Sequence, residues 1–134
     1  MSIEIEKKVI ERFVVKTKRD RYLTFIESDK TRNKFISELA HFHDLRIERF
    51  DEISGDEKKV IKDRIIKSLG NIKDCYLISE NMELDRKRLD IDTALNKTIG
   101  YGMGTFIVFG DAEIVFYEAE GPSYRWLSKK ITRY

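Results

Sequence analysis

The sequence predicts an α+β fold: a helical N-terminal half packed on a small mixed four-stranded sheet, with β-α-β-β-β order in the C-terminal half. Three observations lead there. Apolar residues recur at helical spacing through most of residues 3–70. After Gly70 the pattern changes to short runs rich in Val, Ile, Phe and Tyr. One proline and seven glycines leave little room for a linker, so the 134 residues are read as a single domain, 1–134, with helices mainly in 3–70 and the sheet-forming part in 71–134.

Each element has its own residues behind it. Over 3–15, Ile3, Val9, Ile10, Phe13 and Val14 gather on one side of a helical wheel, opposite Glu4, Lys7, Lys8 and Glu11. Residues 17–27 admit two readings, because Tyr22, Phe25 and Ile26 suit a short helix while Tyr-Leu-Thr-Phe-Ile suits a strand; helix is favoured. Ser28-Asp29 reads as the N-cap of a helix reaching about Phe42, with Phe35, Ile36, Leu39 and Phe42 inward. Ser54-Gly-Asp-Glu57 has capping-box spacing ahead of a helix over 55–69, whose seam is Ile61, Ile65 and Leu69 and whose end is Gly70. Cys75–Ser79, Thr105–Phe109, Glu113–Ala119 and Tyr124–Leu127 read as strands. Turns fall at Gly110–Ala112 and Glu120–Ser123, and Asp90 caps a helix over 91–99. That helical connection predicts a parallel, right-handed crossover between the first two strands.

Composition narrows the function classes. With 41% hydrophobic and 37% charged residues, the chain is expected to bury one core under a strongly solvated surface. Cys75 is the single cysteine, so no internal disulfide can form. Acidic residues at positions 4 and 6 stand where a signal peptide would be apolar, and Phe106–Phe109 is far too short to span a bilayer. The expected location is cytoplasmic.

Few residues suggest chemistry. His41 and His43 invite a metal reading, since imidazole suits zinc. On a helix the rings would point about 200° apart, and only an extended backbone would bring them together. The expectation is therefore His43 near the core, His41 on the surface and no metal site. Gly100-Tyr-Gly-Met-Gly104 follows a helix and opens a strand, the reverse of a phosphate cradle, and has no Lys-Ser/Thr partner. Glu118 and Glu120 are expected on one strand face, a pairing suited to acid–base work, but they are read as the charged ends of a solvated strand. The parallel topology puts them at the sheet end opposite Glu80, Asp85, Asp90 and Asp92. Cys75 is expected to be buried, and no nucleophile–base set or cofactor motif stands out.

Two surfaces remain. From Arg12 to Lys34, eight basic residues meet three acidic ones, a local +5 in a chain of net +2, which leaves −3 elsewhere. Lys16, Lys18, Arg19, Arg21, Tyr22, Lys30, Arg32 and Lys34 form the candidate nucleic-acid or anion surface: the cations neutralise phosphates, and an exposed Tyr22 or Trp126 stacks on bases. Glu80, Asp85, Arg86, Lys87 and Arg88, with Glu118 and Glu120, form the candidate partner or ligand surface, because the irregular stretch 80–90 joins a strand to a helix. Lack of a catalytic set favours a non-enzymatic binding or protein-interaction module with a protein partner. The alternatives are a nucleic-acid-binding module using the 12–34 segment and a small-molecule enzyme with a pocket near Gly100–Gly104 and Glu118/Glu120.

Overall fold

The computed structural model describes residues 2–55, 57–120 and 124–131. Among these are five α-helices: α1 (Ser2–Phe13), α2 (Lys16–Phe25), α3 (Asp29–Glu38), α4 (Lys58–Leu69) and α5 (Ile91–Thr98). Six strands accompany them: β1 (Phe50–Glu52), β2 (Cys75–Ser79), β3 (Arg88–Leu89), β4 (Thr105–Phe109), β5 (Ile114–Glu118) and β6 (Arg125–Ser128). They form one sheet in the order β1-β6-β5-β4-β2-β3, antiparallel throughout. The α+β class stands.

The four-stranded mixed sheet does not. β2 and β4 pair antiparallel, with Cys75 opposite Phe109 and Ser79 opposite Thr105. The reason is parity. β3, absent from the sequence reading, carries the chain back along β2 before α5 returns it, so β4 starts at the end where β2 stops. β1 and β3 have three and two residues, too few to show alternation, and such short edges resist edge-to-edge pairing. The turn expected at Glu120–Ser123 lies, past Glu120, outside the described residues.

Both faces of the sheet are covered, because the central strands are apolar on both sides. On one face, Val9, Ile10 and Phe13 of α1, Tyr22 of α2 and Phe35 of α3 pack against Tyr76, Ile78, Phe106, Val108, Val115 and Tyr117. On the other, Ile61 and Ile65 of α4 and Ala94 and Leu95 of α5 pack against Leu77, Ile107, Phe109, Ile114 and Phe116. Residues 16–25 are helical because Tyr22 must turn inward, where its ring lies 5.5 Å from Phe35 and 5.3 Å from Phe42.

The caps are mixed. Ser28 accepts from the Thr31 amide and Asp90 from the Thr93 amide, as their positions predict. Gly70 ends α4 at φ 76°. The capping box is not formed: Glu57 stands at the N-cap without a side-chain bond, while Ser54 Oγ donates to Glu52 and accepts from the Arg125 amide. α3 also stops early. A 3-10 turn, Leu39–His41, follows it, and Phe42 is extended.

Cys75 is buried with its thiol donating to the Leu89 carbonyl, and burial, helped by Asp74 and Asp90, pushes its pKa up to about 12. Thiolate is the reactive form. The folded protein is therefore expected to resist iodoacetamide at neutral pH and to be alkylated in denaturant; rapid labelling without denaturant contradicts this placement. Among the described residues, no helix is long and apolar enough to cross a membrane.

Candidate aromatic binding cleft

The site begins with a clamp. Tyr117 Oη donates to the Leu39 carbonyl at 2.5 Å and accepts from the Phe42 amide at 2.9 Å. Burial pushes its phenol up to about 12, so it keeps the proton that it donates. The Glu120 amide donates to the Ala40 carbonyl at 2.8 Å. Gly104 lies directly beneath, where a Cβ would overlap the Leu39 carbonyl and the Ala40 nitrogen. Gly104 is fixed in turn: its amide donates to Glu80 Oε2 at 2.5 Å, and the preceding loop is held by Glu118, which accepts from the Gly100 and Gly102 amides. The glycine loop thus supports the 39–41 turn.

The pinned turn walls a cleft. His41, Phe42, His43, Leu45 and Ile47 form one side, and Tyr117, Ala119, Tyr124 and Trp126 the other, around about 360 Å³. Its apolar rim is open to solvent, with Ile47 53% and Tyr124 60% exposed. Trp126, the chain's one tryptophan, is half-buried, and its indole N–H has no partner among the described residues. His43 is exposed, contrary to its expected place near the core, because extended Phe42 puts both imidazoles on the cleft wall while its own ring enters the core. His41 Nε2 lies 3.9 Å from Glu120 Oε1. Among the described residues, no group of three or more His, Cys, Asp or Glu converges as a metal site.

The basic surface divides. Tyr22 and Arg32 are interior, against the expectation of an exposed tyrosine. Tyr22 Oη donates to Asp44 at 2.5 Å, and burial first, then Asp44, raises its pKa. Arg32, 4% exposed, forms bidentate pairs with Glu6 and with Asp85. Burial opposes its charge, but the hydrogen bonds it donates to Asp85 and Glu6 outweigh it, so the pKa is raised. Lys16, Lys18, Arg21, Lys30 and Lys34 remain at or near the surface without a carboxylate partner among the described residues. Arg21 and Lys34 both sit over the Phe25 ring, at 5.5 and 5.6 Å from its centroid. Arg19 Nε donates to the Val14 carbonyl at 3.2 Å.

Most of the other candidate surface is engaged within the fold. Asp85 accepts from the Ser79 amide as well as Arg32. Arg86 pairs with Asp29, and Arg88 pairs with Asp74 while covering the Tyr76 ring. Lys87 is exposed. Glu118 is buried and also pairs with Arg125 at 2.6 Å. It points toward the α4–α5 face and Glu120 toward His41, so the two do not converge. Strand β5 ends at Glu118, and the chain turns away before Glu120. Antiparallel pairing brings Glu80 to the same end as Glu118, correcting the expected separation.

Sequence reasoning passed over Tyr124, Ile47 and the two-histidine wall as one site. The available signal was Tyr124 and Trp126, two apart on one expected strand and so on one face; Ile47 fell in no expected element and gave none. No family model, no curated protein and no solved structure matches this chain.

Proposed function

We propose that the chain is a non-enzymatic protein-interaction module that captures a partner's large apolar side chain in the cleft around Trp126. One observation carries this reading: a cleft of about 360 Å³ with aromatic walls and two exposed apolar side chains at its mouth. Trp and Tyr anchor protein interfaces because they combine large apolar area with a polar tip and few rotatable bonds. Covering Ile47 and Tyr124 is worth about 1–2 kcal/mol each, given their present exposure. The Trp126 indole adds an unused donor. Catalysis is the weaker reading, since Glu118 is already occupied by two amides and Arg125. We assign the module to the cytoplasm, in keeping with one buried, unreactive thiol.

Selection of random short peptides on the native chain tests this. Peptides that survive are expected to lose at least about tenfold in affinity when Ile47 and Tyr124 are both changed to Ser. These positions lie outside the core, so thermal melting should be nearly unchanged. Failure to select any peptide sensitive to the pair contradicts the reading.

A further inference from the structure

The wall of the aromatic cleft has a second side. Residues 44–46 run beside the α1–α2 junction, where the Val15 amide donates to the Asp44 carbonyl and the Arg46 amide to the Phe13 carbonyl. Leu45 and Ile47 face the aromatic cleft, whereas Arg46 and Glu48 face another cleft of about 380 Å³ shared with Val15, Lys16 and Arg19. An apolar hollow and a cationic one are thus separated by a ridge one chain thick. Glu48 pairs with Arg46 at 3.1 Å and offsets one of the three positive charges. Two remain in the cleft lining; the exposed Asp20, one helical turn after Lys16 on α2, borders them, while Lys18 and Arg21 project from other sides of that helix.

We infer that the partner segment is acidic, with its apolar anchor in the Trp126 cleft and its carboxylates across the ridge beside Lys16, Arg19 and Arg46. This rests on the reading of the aromatic cleft as the docking site and adds the partner's chemistry. Charge complementarity supplies the argument. Lys16 and Arg19, which have no carboxylate partner among the described residues, attract acidic side chains, steer their approach and fix which end of the segment lies where. Glu120 beside His41 repels carboxylates at the opposite end of the wall, which orients the segment. The ridge, one backbone with its side chains, is about 10 Å across, and an extended chain rises about 3.3 Å per residue. The carboxylates therefore stand about three residues from the anchor.

The peptide selection above tests the inference when run with a charge-reversed chain, Lys16→Glu with Arg46→Glu, and with a labelled oligothymidylate as a second probe. The expected peptides carry Asp or Glu about three residues from a Trp, Phe or Leu. They should bind about tenfold more weakly to the charge-reversed chain at low salt, with the gap closing at high salt. Thermal melting of the charge-reversed chain should stay close to the native one, since Lys16 is exposed and the Arg46–Glu48 pair that is lost lies at the surface. Peptides that need Ile47 and Tyr124 but are neutral or basic, or ignore the charge reversal, overturn the acidic partner and leave the cleft reading intact. Peptides indifferent to Ile47 and Tyr124 overturn both. If oligothymidylate binds and the charge reversal abolishes that binding while leaving peptides unaffected, the cations serve nucleic acid and the inference fails.

Discussion

Replacing Arg32 with Met is expected to lower folding stability by about 3–5 kcal/mol, the range for breaking a buried ion pair by removing one partner. Arg32 links α3 to Glu6 on α1 and to Asp85 in the loop after β2, with bonds of 2.6 to 2.9 Å. Tyr76 Oη also donates to Glu6 at 2.6 Å. Without the guanidinium, Glu6 keeps its charge among apolar residues or must take up a proton; Asp85, partly exposed, can rehydrate. Adding Glu6→Leu should therefore recover part of the loss. Urea unfolding measures both. A loss below about 1 kcal/mol in the single variant contradicts the role given to this cluster.

Gly104→Ala should cost about 3 kcal/mol or more, at or above the top of the usual overpacking range, because the added methyl meets backbone. The obstacle is the Leu39 carbonyl and the Ala40 nitrogen, which are held by Tyr117 and by the Glu120 amide and cannot swing aside like a flexible side chain. Displacing that turn moves His41, Phe42 and His43. Peptide binding at a temperature where the variant is fully folded should therefore fall by more than the stability loss accounts for. Tyr117→Phe is the milder companion: it orphans the Phe42 amide and frees the Leu39 carbonyl, for about 1–3 kcal/mol. Wild-type binding in folded Gly104→Ala contradicts the support assigned to the glycine loop.

Much of the fold was legible because it depends on local patterns. Val9, Ile10 and Phe13 mark the buried side of α1, Asp90 caps α5, and the runs at 75–79 and 105–109 are strands at the expected positions. What was missed depends on contacts between distant residues. β3 is two residues long, yet it decides whether β4 runs with or against β2. Ser54 and Glu57 have capping-box spacing, but Ser54 is used by Glu52 and Arg125 instead. Arg32 and Tyr22 looked like surface residues from their neighbours in sequence; their carboxylate partners lie 26 and 22 positions away along the chain. The cleft was hidden for the same reason, since its two walls, 41–47 on one side and Tyr117, Ala119, Tyr124 and Trp126 on the other, are far apart in sequence and are tied together by Tyr117 and the Glu120 amide.

Docking of a partner segment against Trp126, as proposed, is tested most directly by the emission of that single tryptophan. A selected peptide lacking tryptophan is titrated into the native chain while anisotropy of a label on the peptide reports binding. As the peptide binds, Trp126 emission should shift to shorter wavelength and become harder to quench with acrylamide, both with the same midpoint as the anisotropy. Saturable anisotropy with unchanged Trp126 emission and quenching would place the peptide elsewhere and contradict the account.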